Sequence, residues 1–181
     1  PYTYVASTRI EEVCEDNGAE LEWKPFLLGG IFNETGVKPA VQIENKIAYL
    51  KKDLADTARY YRVEFKFPEL FPLMSVKAMR GAFAAAEKGL LVTYNHHLFR
   101  LYWTEGKDLS QDDILRAAVR EVGIDPEWFM ARIVEQDIKD GLKDETSRAA
   151  ARGAFGAPTI FVGEKMFWGN DRLDYLDRHL K

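Results

Sequence analysis

Gly153-Ala154-Phe155-Gly156-Ala157-Pro158-Thr159-Ile160-Phe161-Val162-Gly163-Glu164-Lys165-Met166-Phe167-Trp168-Gly169-Asn170-Asp171-Arg172-Leu173 is the stretch whose reading decides the fold. A turn of small residues passes through Pro158 into a short β-branched and aromatic run, which suits a strand. Gly163-Glu164-Lys165 turns the chain back, and Met166-Phe167-Trp168 returns as a second strand. Gly169-Asn170-Asp171 then opens a final helix, with a capping residue and an acidic first turn. The pattern is a proline-entered hairpin followed by a helix.

Upstream of this stretch the chain is that of an ordinary globular domain. Its 181 residues suffice for one domain with a good core. An apolar fraction of 46% and a charged fraction of 30% are typical of soluble proteins. A net charge of −4 argues against a nucleic-acid partner, which leaves a basic footprint. No apolar run approaches the roughly 18–20 residues that span a bilayer, and no signal peptide is visible. The single Cys14 forbids an internal disulfide and fits a reducing cytosol. The sequence starts abruptly at Pro1, so native residues are expected ahead of it.

The spacing of residues predicts a first helix from Pro1, with Val5, Ile10 and Val13 turned inward and Gly18 as its stop. Ala19-Glu20-Leu21-Glu22-Trp23 alternates and reads as a strand. Residues 27–40, with Gly29, Gly30, Asn33, Gly36 and Pro39, read as a long loop. Ile47, Leu50 and Leu54 mark an amphipathic helix over 43–61. Val63 to Pro72 is an extended connector. Residues 74–154 are mostly helical, with a stripe of Met79, Phe83 and Leu90. Helix starts are expected at Ser110-x-x-Asp113 and at Asp125-Pro126-Glu127. Composition and order alone give an α/β fold.

The run from Phe155 to Leu173 resembles, almost without a break, the C-terminal half of the 2-hydroxychromene-2-carboxylate isomerases. These group with DsbA-type proteins and kappa-class glutathione transferases. The resemblance implies an α/β, thioredoxin-like sheet interrupted by a large helical insertion. Residues 1–40 and 146–181 would form the thioredoxin-like domain, and 41–145 the inserted helical domain. Its first strand is expected upstream of Pro1, outside this sequence.

The same resemblance implies the site. Pro1-Tyr2-Thr3-Tyr4 is similar to the residues after the serine of the family's Ser-Pro-[Tyr/Phe] motif, so the catalytic serine is expected immediately before Pro1. Read without the family, Pro1-Tyr2 is a plain helix start. Thr3 stands where redox members carry a second cysteine, and threonine cannot resolve a mixed disulfide. The family's proline is cis, which implies a cis Ala157–Pro158 bond and a backbone edge at Ala157 that pairs with glutathione. The other reading of Pro158 is a trans proline at a strand edge. Gly169, Asn170 and Asp171, preceded by Trp168, would hold the γ-glutamyl end of the same cofactor; simple capping is the alternative. Asn45-Lys46-Ile47-Ala48-Tyr49-Leu50-Lys51-Lys52-Asp53-Leu54 resembles a family helix whose lysine, here Lys46, lies near an anion. Tyr49 and Asp53 read as structural.

The implied activity is glutathione-dependent isomerisation of 2-hydroxychromene-2-carboxylate, or a related conjugated aromatic acid, by thiolate addition and elimination. The alternatives are a kappa-like transferase or peroxidase and a non-catalytic thioredoxin-like binding module. A disulfide oxidoreductase is disfavoured by Thr3. The expected partner is a small aromatic substrate, in the cytoplasm, with no nucleic acid and no membrane; the family admits a homodimer. Val37 departs from the family, which has asparagine after the glycine matching Gly36; Lys38 is a substitute anion contact. Cys14 reads as a small buried hydrophobe. His96, His97 and His179 have no metal-ligand spacing, so no metal is expected.

Overall fold

A computed structural model describes residues 1–181. Helices α1 (Tyr2–Ser7), α2 (Ile10–Asp16), α3 (Leu28–Thr35), α4 (Glu44–Tyr61), α5 (Val76–Glu87), α6 (Leu91–Trp103), α7 (Asp112–Glu121), α8 (Pro126–Arg132) and α9 (Gln136–Ala151) precede the hairpin. Strands β1 (Thr159–Val162) and β2 (Lys165–Trp168) pair antiparallel, and α10 (Leu173–Leu180) closes the chain. The register sets Thr159 opposite Trp168 and Val162 opposite Lys165, with Gly163 in the left-handed region at the turn. No helix is long and apolar enough to cross a membrane.

Two apolar cores hold these elements. The larger gathers Tyr94, Leu115, Val119, Phe129 and Ile133 around the small-residue face of α5, Ala78, Ala82, Ala84 and Ala85. The smaller joins Ala6, Ile10 and Cys14 to Phe167, Leu173 and Leu176. The expected stripe of Met79 and Phe83 is only half-buried; alanines make the contact face instead, because they let α6 and α8 come close.

Four local expectations are corrected. The first helix is broken at Thr8–Arg9: the Ser7 and Thr8 hydroxyls donate back to the carbonyls of Tyr4 and Val5, at 2.7 and 2.8 Å, and compete with helix continuation. Residues 19–23 are extended but form no strand. Ala19, Leu21 and Trp23 do face the smaller core, so the alternation is real, yet the two hairpin strands pair only with each other. The expected loop over 27–40 contains α3, since Ile31 is fully buried and α3 packs on α9. Gly30 permits that approach: a Cβ there would meet Thr146 Cγ2 at 2.6 Å. Ser110 and Gln111 bond to Asp108 rather than forming the expected cap of α7. The second expected helix start holds, with Asp125 accepting from Trp128 N at 2.7 Å and Pro126 following it.

Gly81 sits where α5 meets Tyr94 and Phe129, and a methyl there would overlap the Tyr94 hydroxyl and the Phe129 ring. Both rings are buried, and Tyr94 is tied to the Ala78 carbonyl at 2.8 Å, so neither yields easily. Gly81→Ala should therefore destabilise the protein by about 1–2 kcal/mol net, overpacking outweighing the helix-propensity gain. The expected Tm drop in thermal unfolding is about 2–8 °C; an unchanged or higher midpoint would show that the aromatic pair moves aside.

Candidate functional site

Three segments meet beside Pro1. Helix α1 packs against α4 on one side and the turn Asn170–Arg172 on the other. Its first internal bond runs from Val5 N to Pro1 O, at 3.1 Å, which leaves the amides of Tyr2, Thr3 and Tyr4 without helical partners.

Tyr2 is the link between these segments. Its phenol donates to Asp53 Oδ2 at 2.5 Å, and Tyr49 donates to Asp53 Oδ1 at 3.1 Å. Burial, then Asp53, then the charges of Tyr49 and Asp171 push the Tyr2 phenol well above its ordinary value. Lys46, Tyr49 and Asp53 succeed one another at spacings of three and four, so they share one face of α4. Lys46 is exposed in the first turn of that helix.

The hairpin supplies the opposite wall. Gly169 N donates to Pro158 O at 3.1 Å, which places Ala157 beside the turn after β2. The Ala157–Pro158 bond is cis. Ala157 contributes no backbone hydrogen bond to the hairpin or to the turns around it, so its N–H and C=O remain available. The Trp168 indole covers Gly156, where a Cβ would stand 2.5 Å from Nε1. Phe155 lies against the same indole with ring centroids 4.8 Å apart, and Trp168 remains 49% exposed.

Asn170 to Arg172 form a 3₁₀ turn, and the α-helix proper begins only at Leu173. The turn has no side-chain cap. Asn170 therefore does not serve as the cap that the sequence allowed, since the cap position is Gly169, which has no side chain; the residue is buried as a whole, but its amide is not among the buried polar atoms left without a partner. Gly169, at φ 106°, adopts a backbone that side-chain-bearing residues avoid. A Cβ on it would strike the Asp171 carboxylate. Asp171 is exposed, and its nearest cation is Arg172 Nη1 at 3.5 Å.

The structure thus brings Ala157, Pro158, Trp168, Gly169, Asn170 and Asp171 together at the end of the hairpin, packs the turn Asn170–Arg172 against α1 with Asp171 within electrostatic reach of Tyr2 beside Pro1, and sets Lys46 on the helix that Tyr2 touches. The Tyr2–Asp53 contact joins residues 51 positions apart, and no sequence spacing signals it. Val37 and Lys38 come after the left-handed Gly36 that ends α3, and both are exposed with no side-chain bond to the site. Burial, with Glu11 adding, pushes the Cys14 thiol up, as suits a packing residue. His96 pairs with Glu11 at 2.8 Å and His97 faces Glu121 at 3.2 Å.

Comparison with known proteins agrees with the fold. The family model described as DSBA-like thioredoxin domain matches residues 1–181. The 2-hydroxychromene-2-carboxylate isomerase of Pseudomonas putida is 26% identical over 179 residues, covering 98% of this chain and 87% of its own. Human glutathione S-transferase kappa 1 is 26% identical over 172 residues, covering 86% of this chain and 75% of its own. A solved 2-hydroxychromene-2-carboxylate isomerase superposes with a TM-score of 0.89 at 25% identity, over 99% of this chain and 89% of that one.

The Tyr2 contact has a pH signature. A phenol whose folded pKa is raised stabilises the fold fully below its unfolded pKa of about 10, and that stability is lost as pH rises above it. Asp53→Asn should let the Tyr2 phenol ionise at lower pH than in the wild type, though still above the ordinary value, because burial is the larger cause. Absorbance titration of tyrosinate checks this, with Tyr2→Phe identifying the phenol; identical curves for wild type and Asp53→Asn would contradict the contact.

Proposed function

This chain belongs to the DSBA-like thioredoxin domain family, and we propose that within it the protein is a glutathione-dependent isomerase of 2-hydroxychromene-2-carboxylate or a related conjugated aromatic acid. The observation that carries the reading is the meeting, at the turn after β2 that α1 packs against, of the open backbone of Ala157 with Asn170 and the exposed carboxylate of Asp171. That set fits glutathione. A peptide needs a backbone partner, and its γ-glutamyl end carries both a carboxylate and an ammonium. Bound there, glutathione supplies a thiolate that adds reversibly to a conjugated double bond and leaves again after rotation about it.

The chain's own residues bind and orient. Ala157 offers one N–H and one C=O to the peptide. Asp171 takes the ammonium, and Asn170 can donate to the carboxylate. Gly169 keeps Asp171 in place, since its backbone leaves room that a side chain would fill. The unpaired amides of Tyr2, Thr3 and Tyr4 favour negative charge at the start of α1, which is what a thiolate needs. Lys46 draws an anionic substrate toward that end of α4. Trp168 and Phe155 give an aromatic shelf that excludes water on the hairpin side. A reducing compartment such as the cytoplasm suits a chain whose one cysteine is a buried free thiol. The two separate cores support a division at residues 1–40 with 146–181 against 41–145, bridged where α3 packs on α9.

A second reading keeps the ligand and changes the reaction. Similarity to a kappa-class transferase at the same 26% identity favours transfer of the glutathionyl group to an electrophile.

Calorimetric titration of the protein with glutathione should show binding at millimolar concentration or below. Asp171→Ala should weaken it by about 1.5–3 kcal/mol, the scale of a bond to a charged group. No heat of binding with wild-type protein would remove the basis of both readings.

Turnover separates them. The isomerase should interconvert 2-hydroxychromene-2-carboxylate and its ring-opened isomer only with glutathione present, leaving the thiol titre constant. Loss of free thiol with an electrophilic acceptor would establish the transferase. Binding without turnover on a panel of conjugated enones and electrophiles would leave a binding module.

A further inference from the structure

Arg152 closes α9 and takes no part in the ligand set. Its neighbour on the same helix, Arg148, pairs with Glu145, as exposed helix arginines ordinarily do. Arg152 pairs with no carboxylate. Its Nη2 donates to the Gly163 carbonyl at 2.8 Å, and its guanidinium carbon lies 3.9 Å from the centre of the Phe161 ring. A cation at a helix C-terminus gains by facing the last carbonyls of its own helix. This one spends its donor on the tip of the hairpin instead.

The tie has a topological consequence. The chain leaves α9 at Arg152, passes through Ala157 and runs along β1 to Gly163. A bond between residues 11 positions apart closes that segment into a loop, with Ala157 near its middle. The two ends are anchored separately. On the α9 side, Ile138, Leu142 and Thr146 are buried, and the helix packs on α3 and α5. On the hairpin side, Ile160 and Val162 turn to the smaller core, which leaves Phe161 on the opposite face of β1, half-buried beneath the guanidinium. A hairpin of four residue pairs is marginal by itself. Phe167 holds its core face and Arg152 its turn end, so the strand cannot swing about its core contacts.

We propose that Arg152 is a positioning residue for the ligand site: by bonding Gly163 and covering Phe161 it fastens the hairpin tip to the end of α9, and so holds the open backbone of Ala157 where a peptide ligand pairs with it. The proposal rests on the glutathione reading and adds a residue to it. Arg152 does not touch the ligand; its bond lies at the turn, the end of the hairpin away from Ala157. It supplies order before binding, so that less ordering cost falls on the binding step. Arginine suits this part and lysine does not. A planar guanidinium can cover a ring and donate to a carbonyl together, whereas an ammonium on a flexible stem acts as a point charge.

Glutathione affinity, measured by calorimetry on the intact protein, tests this. Arg152 is exposed, so substituting it leaves both cores intact. Arg152→Ala should weaken binding about fivefold, the factor that corresponds to one net hydrogen bond. Arg152→Lys should weaken it nearly as much, which separates positioning from attraction of an anionic ligand by charge. Arg116→Ala is the control: it removes the same charge from a bond to Glu127 between α7 and α8, and should leave affinity unchanged. Hydrogen exchange gives a second readout. The Gly169 amide, bonded to the Pro158 carbonyl, should exchange about fivefold faster in Arg152→Ala but not in Arg116→Ala. The Phe129 amide in the larger core should keep its wild-type rate in both, which a general loss of stability would not allow. Wild-type protein that fails to bind glutathione overturns the functional reading, and the proposal with it. Wild-type affinity retained in Arg152→Ala or Arg152→Lys, affinity lost equally in Arg152→Ala and Arg116→Ala, or an unchanged Gly169 exchange rate overturns the proposal alone.

Discussion

The bond from Gly169 N to Pro158 O is the constraint on which the site depends. It continues the register that pairs Thr159 with Trp168, and it fixes what lies just beyond each end of the hairpin. On one strand that is Ala157, with its backbone groups open. On the other it is Asn170 and Asp171. A slip of one residue would exchange the faces of every side chain on the strand, sending Trp168 into the core and Phe167 out. Register here is held by burial, since Phe167 is packed with Leu173 and Leu176 while Trp168 stays half-exposed. The smaller core therefore positions the open backbone of Ala157 through the hairpin register.

Helix α1 is where the two cores meet. Tyr4 belongs to the larger and Ala6 to the smaller, two residues apart on a helix of six. Such a short helix cannot stand on its own hydrogen bonds. It is ordered by what it packs against, and its first turn is tied to α4 and to the turn Asn170–Arg172. Pro1 thus sits at a junction of three separately folded segments. That arrangement gives precision without a large sheet: only four residue pairs form the hairpin.

The sequence made some of this legible and concealed the rest for physical reasons. Chemistry that is local in the chain was readable: the turn at Gly163, the cap at Asp125 and the amphipathic α4 all rest on propensities of neighbouring residues. Chemistry that depends on distant partners was not. Gly29 and Gly30 look like loop residues, because the steric need for Gly30 comes from Thr146 on α9. Ala19 to Trp23 alternates as a strand does, yet a ladder needs a neighbour that no local pattern supplies. Asp53 reads as a structural residue of α4 until Tyr2 arrives beside it. Asn170 reads as a cap by type, but the chain enters a 3₁₀ turn whose cap position is Gly169.

The charges around Tyr2 bear on what the site can hold. Asp53 and Asp171 both raise its phenol pKa, so two carboxylates face one neutral hydroxyl. A phenolate between them would meet repulsion from both sides and a desolvation cost as well. Tyr2 therefore remains a proton donor, and the donated proton is what lets a carboxylate and the first turn of α1 approach so closely. The cation in contact with these carboxylates is Arg172 beside Asp171. Asp171 keeps a cation, Arg172, at 3.5 Å, whereas the charge of Asp53 is met only by the hydroxyl donors Tyr2 and Tyr49.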